Sequence, residues 1–211
     1  MTRLTHCMLL LCALLASPAW AAEPCPPTDQ DLEWSPQCFE SINGERRVMH
    51  QYLRKLRVNR AGVATMRIDG TFEMLAVDRR GKVLVPHIYF SGDFDYPSAP
   101  GNVGRFGRTQ CGYFDTTTFK ILVPPQYDFC APFHKAQGQV CIGCQLYCSD
   151  DDCHDAKLIG GTSYMVNRRN QRTTGTALPT LQTACNGAPP LKLDLKRHLL
   201  TCPPGARHQT P

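Results

Sequence analysis

A valine stands four residues before a tyrosine at three evenly spaced places in this chain: Val48-Met49-His50-Gln51-Tyr52, Val85-Pro86-His87-Ile88-Tyr89 and Val123-Pro124-Pro125-Gln126-Tyr127. The tyrosines fall 37 and 38 residues apart. A period of this length constrains the fold more than any local motif, because one unit cannot bury its apolar face alone and neighbours must stack into a continuous core. A second signature recurs. Leu75-Ala76-Val77-Asp78-Arg79-Arg80-Gly81-Lys82, Gly112-Tyr113-Phe114-Asp115-Thr116-Thr117 and Tyr164-Met165-Val166-Asn167-Arg168-Arg169-Asn170-Gln171 each run from an apolar stretch into Asp or Asn and a polar turn. Met66 with Ile68, and Val83 with Val85, show the every-second-residue spacing of half-buried strands. Asp78-Arg79-Arg80-Gly81 supplies a hairpin turn with a glycine available for positive φ. The expected fold is therefore all-β, an array of antiparallel β-hairpin repeats of about 37 residues, disulfide-stapled. The 17 prolines and 16 glycines agree, since a helical bundle would not tolerate them. Val48, Tyr52, Leu53 and Leu56 also fit a helix, but the repeat register takes precedence and predicts that the three tyrosines occupy equivalent positions.

These residues resemble the WG-repeat, or KWG, family. Its units run from a Gly-aromatic-apolar-Asp strand through a Lys-Gly turn to a strand ending in Ile-Pro-x-x-Tyr, then Phe. The closest copy is Gly112-Tyr113-Phe114-Asp115 through Lys120-Ile121-Leu122-Val123-Pro124-Pro125-Gln126-Tyr127-Asp128-Phe129, then Pro132-Phe133. The preceding unit matches through Val77-Asp78, Gly81-Lys82 and Val85-Pro86-His87-Ile88-Tyr89. The tryptophan that names the repeat is absent from every unit, with Leu75, Tyr113 or Tyr164 near its place. The resemblance extends to exported bacterial members in which Cys-x-x-Cys follows the second or third unit, matched here by Cys141-Ile142-Gly143-Cys144. It implies a β-rich scaffold that mediates binding and no shared catalytic residue.

Residues 1–21 have the anatomy of a secretory signal: Arg3, the apolar run Met8 to Ala16, and Ala19-Trp20-Ala21 at the cleavage site. The run is too short to span a bilayer. The organisation expected is a signal peptide at 1–21, an N-terminal Cys-containing segment at 22–44, a WG-like β-repeat domain at 45–172 with a Cys-rich insertion at 141–154, and a Pro-rich C-terminal segment at 173–211. The expected location is periplasmic or secreted. Cleavage removes Cys7 and Cys12 and leaves ten cysteines, Cys25, Cys38, Cys111, Cys130, Cys141, Cys144, Cys148, Cys153, Cys185 and Cys202. An even number in an exported chain implies a disulfide framework. Cys25 with Cys38 would pin the N-terminal segment, and Cys185 with Cys202 the C-terminal one. The remaining connectivity is open.

Charge is mild, 23 Lys and Arg against 18 Asp and Glu without a long basic block, which points away from nucleic acid and from membrane insertion after signal cleavage. Cys141-Ile142-Gly143-Cys144 has thiol-disulfide redox spacing, but that chemistry wants a helix N-terminus to stabilise the thiolate, and the flanks read as strand or loop. Cys141, Cys144, Cys148, Cys153 and His154 would suffice for zinc; an oxidising compartment argues for disulfides instead. Asp150, Asp151, Asp152 and Asp155 lack the alternation and glycine of a calcium loop and read as an acidic hairpin tip. No hydrolase motif appears, so no catalytic residue, metal or cofactor is expected. The function expected is an exported non-catalytic interaction module that binds a protein partner, in one version an inhibitor or immunity-type protein. The alternatives are a periplasmic thiol-disulfide oxidoreductase and a carbohydrate-binding module. Arg79, Arg80, Arg168 and Arg169, on two serial turns, are the candidate binding residues.

Overall fold

Strand dominates the residues described by the computed structural model, Cys25 and residues 33–204. The expected signal at 1–21, with Cys7 and Cys12, lies outside them. The first part of the chain forms β1 (Glu33–Trp34), β2 (Phe39–Ile42), β3 (Glu45–Val48), β4 (Val63–Ile68), β5 (Glu73–Asp78) and β6 (Val83–Val85). β4, β5 and β6 make an antiparallel meander, and β1 joins β4 in parallel. In β4 the buried Ala64, Met66 and Ile68 alternate with Thr65 and Arg67, as the sequence spacing requires. β2 and β3 form a separate hairpin, tied to the meander where Val48 N–H donates to Gly81 O at 2.9 Å.

A second meander follows, β7 (Val103–Phe106), β8 (Cys111–Asp115) and β9 (Ile121–Tyr127). The chain continues through β10 (Phe129–Cys130), β11 (Gln137–Ile142), β12 (Gln145–Cys148), β13 (Ala156–Ile159), β14 (Thr162–Asn167), β15 (Thr176–Ala177), β16 (Lys192–Asp194) and β17 (Leu199–Thr201). β11, β14 and β15 form the third meander, with β10 on its outer side. The hairpin β12–β13 is inserted into it and makes a sheet of its own with the C-terminal strands, in the order β13-β12-β17-β16. The Cys-rich insertion thus continues past His154 through Ile159 and carries the C-terminal segment on its edge.

Each meander closes its middle strand with the same device. Asp78 Oδ1 accepts the N–H groups of Arg80 (2.8 Å) and Lys82 (2.9 Å). Asn167 Oδ1 accepts those of Arg169 (2.9 Å) and Gln171 (3.1 Å), and Asp115 Oδ1 those of Thr117 (3.1 Å) and Thr118 (2.8 Å). A short side-chain acceptor satisfies the turn amides that the ladder leaves unpaired.

Val48, Val85 and Val123 are all buried, each in a different core cluster. The three tyrosines do not share a setting. Tyr52 lies in a 3-10 helix, His50–Lys55, Tyr89 lies beyond the end of β6, and Tyr127 is enclosed at the end of β9. The helical spacing wins over the register at the first position because Tyr52, Leu53 and Leu56 pack against the first core, with Leu53 reaching over Gly81.

Candidate functional site

All ten cysteines among the described residues are paired, Cys25 with Cys38, Cys111 with Cys130, Cys141 with Cys144, Cys148 with Cys153 and Cys185 with Cys202. The thiols that zinc would need are therefore spent. Cys141 is enclosed at the end of β11, and its loop is held where Gly143 N–H donates to Asp128 Oδ2 at 2.6 Å. The motif is strand, loop and strand, with no adjoining helix in the described residues to stabilise a thiolate. Asp150, Asp151, Asp152 and Asp155 are exposed on the β12–β13 turn, which Cys148–Cys153 closes.

The four arginines do not form one set. Arg79 and Arg80 are exposed on the first turn, and Arg169 is exposed on the third. Arg168 instead ties two meanders together: its Nη2 meets Asp115 Oδ2 at 2.6 Å, and its Nη1 reaches Gly101 O at 3.5 Å. Partial burial raises the Asp115 carboxyl, but the Thr118 and Thr117 hydrogen bonds and the Arg168 charge outweigh it and hold the group below its ordinary value.

The described surface is most distinctive at the opposite end of the first two meanders. The β4–β5 turn, Asp69-Gly70-Thr71-Phe72, ends in a phenylalanine whose side chain is 95% exposed. Phe72 separates two clefts of about 430 and 490 Å³. The smaller lies between Phe72, Glu73, His87, Tyr89 and Arg108, and the larger between Phe72, Phe90, Arg67 and Glu33. Phe72 and His87 both have left-handed backbone, φ 51° and 48°. Such residues cost about 1–3 kcal/mol each and persist where the surroundings over-determine them, often at functional sites.

The walls are braced from beneath. Arg46, stacked on the Phe39 ring at 4.4 Å, donates to Glu73 Oε2 at 2.7 Å. Glu73 Oε1 is buried without a hydrogen bond, and Nδ1 of the partly exposed His87 stands 3.4 Å from it at the cleft. Tyr89 is held by its N–H donating to Arg105 O at 3.0 Å and by the Arg105 guanidinium over its ring at 5.2 Å. Arg105 is itself fixed by a two-pronged contact to the buried Asp95, both bonds 2.9 Å. Sequence reasoning passed over Phe72, Glu73 and Arg108 and met His87 only as part of the Val85 to Tyr89 motif. The available signal was an aromatic residue in a turn segment where polar residues are the rule.

No family model matches the chain, and neither a curated protein nor a solved structure is significantly similar to it.

Proposed function

We propose that this protein is an exported, non-catalytic interaction module that binds a protein partner through a WG-like β-repeat scaffold, acting as an inhibitor or immunity-type protein in the periplasm or outside the cell. Five disulfides, with no helix among the described residues long and apolar enough to cross a membrane, are compatible with an oxidising compartment. The observation that carries the binding reading is Phe72, an exposed ring held on a strained turn between two open clefts. Interfaces concentrate their energy in aromatic anchors ringed by polar groups. Here Glu33, Arg67, Asp69 and Arg108 provide that rim. The clefts are wide and open, which suits a protein surface better than an enclosed small molecule.

Arg79, Arg80 and Arg169 then act at a distance, by steering an acidic partner rather than anchoring it. The test is affinity capture from an envelope extract with wild-type and Phe72→Ala protein, followed by identification of the captured chain. The expected result is one partner retained by the wild type and bound at least about tenfold more weakly by the variant, the size of a modest hot spot. Equal capture by both would overturn the reading.

A further inference from the structure

The C-terminal hairpin has an apolar edge that no other strand among the described residues pairs with. β16 is the outer strand of its sheet and pairs with β17 on one side only. Leu191, Leu193 and Leu195 recur at every second residue and are 67%, 44% and 57% exposed. Leu193 stands opposite Leu200, which is buried with Tyr147, Ile159 and Cys185. Directly paired residues share a sheet face, so Leu193 continues this small core outward to an edge that the described residues do not cover, with Leu191 just before β16 and Leu195 in the turn just after it. Natural edge strands are commonly guarded by inward charges, bulges or proline. Here Pro189-Pro190 only ends the strip, and Lys192 and Asp194 alternate onto the other face.

We propose that a second copy of this chain covers the edge by antiparallel β16–β16 pairing about a two-fold axis at Leu193. The charge pattern selects both the occupant and the register. In that register Leu193 meets Leu193, Leu191 meets Leu195, and Lys192 meets Asp194 on both sides of the axis. Opposite charges directly across a pair stabilise it and like charges oppose it. A shift of the axis by one residue toward either terminus sets Asp194 against Asp194 or Lys192 against Lys192. A two-fold contact must be self-complementary, and this pentapeptide, Leu191-Lys192-Leu193-Asp194-Leu195, is so in one register. Asp194 Oδ1 already accepts Lys196 N–H and Arg197 N–H at 2.9 and 3.0 Å, which leaves Oδ2 to meet the lysine of the other copy.

Sedimentation equilibrium of the oxidised protein, in a concentration series reaching hundreds of micromolar, tests this. The expected mass rises from monomer to dimer and no further. Leu193→Asp, which places two carboxylates on the axis, is expected to remain monomeric, and Leu191→Asp to dimerise about tenfold more weakly. Lys192→Asp should also weaken the dimer about tenfold, and mixing it with Asp194→Lys should restore association by re-forming both charge pairs. Phe72→Ala should dimerise like the wild type, so this inference and the partner-binding reading fail separately. A wild type that stays monomeric throughout, including one that instead sediments with lipid vesicles or a strand from another protein, overturns the proposal. So does a Leu193→Asp dimer, or a dimer lost with Phe72→Ala.

Discussion

In the meanders Met66, Leu75, Tyr113, Phe114 and Tyr127 are enclosed almost completely. In the sheet of β12, β13, β16 and β17 the core is Tyr147, Ile159, Ala184, Cys185 and Leu200, with Leu191, Leu193 and Leu195 exposed beside it. Both regions carry disulfides: Cys25–Cys38 and Cys111–Cys130 lie within the larger cores of the meanders, whereas in the smaller sheet Cys185–Cys202 joins a core of few residues and Cys148–Cys153 closes an exposed turn. Covalent closure is common to both, and it supplies a larger share of the stability where the core is small. A segment that cannot remove enough apolar surface from water gains by losing entropy in its unfolded state.

The largest effect is expected at Phe114, whose ring stacks on Phe119 at 5.8 Å and meets Phe106 edge-on at 6.1 Å. Phe114→Ala should cost about 3–5 kcal/mol in denaturant unfolding, because the cavity is enclosed on all sides; a loss below about 1 kcal/mol would mean that the meanders are not held by their core. Removing the Cys185–Cys202 bond by Cys185→Ala with Cys202→Ala should cost about 3 kcal/mol from loop closure. Amide exchange should then quicken in β12, β13, β16 and β17 while the meanders stay protected. Quickening spread evenly over both regions would erase the distinction.

Tyr113→Phe tests the core of the second meander at a single atom. The phenol of the buried Tyr113 donates to Ala131 O at 2.7 Å, and its loss leaves a partly buried carbonyl short of a donor, costing about 1 kcal/mol. Burial also pushes the Tyr113 phenol above its ordinary value of 10.0. The folded state then keeps a proton that the unfolded state releases, so wild-type stability should fall as pH rises above that value. The phenylalanine variant should lack this component in an alkaline unfolding series. The smallest effect belongs to the partly exposed Arg168–Asp115 pair between turns. Arg168→Ala should cost less than about 1 kcal/mol after solvent screening. The Asp115 carboxyl is depressed, so its contribution is present above the ordinary value of 3.8 and lost as pH falls through the lower folded value. Thermal midpoints of wild type and Arg168→Ala should therefore converge in acid.

What the residues determined alone was local. Val63 to Ile68 alternate and form β4, the Asp78, Asp115 and Asn167 turns carry their own acceptors, and the nearest-neighbour cysteines close short loops. These features depend on contacts within a few residues, where periodicity and turn chemistry leave a readable trace. The tertiary structure alone decided the rest. It set Cys148 beside Leu199 and Arg168 beside Asp115, it buried Glu73 under His87, and it left Phe72 without cover. These contacts join residues far apart in sequence or depend on what packs over a side chain. No local spacing encodes that, since the same leucine or arginine can serve a core, a bridge or an open surface depending on which segment folds across it.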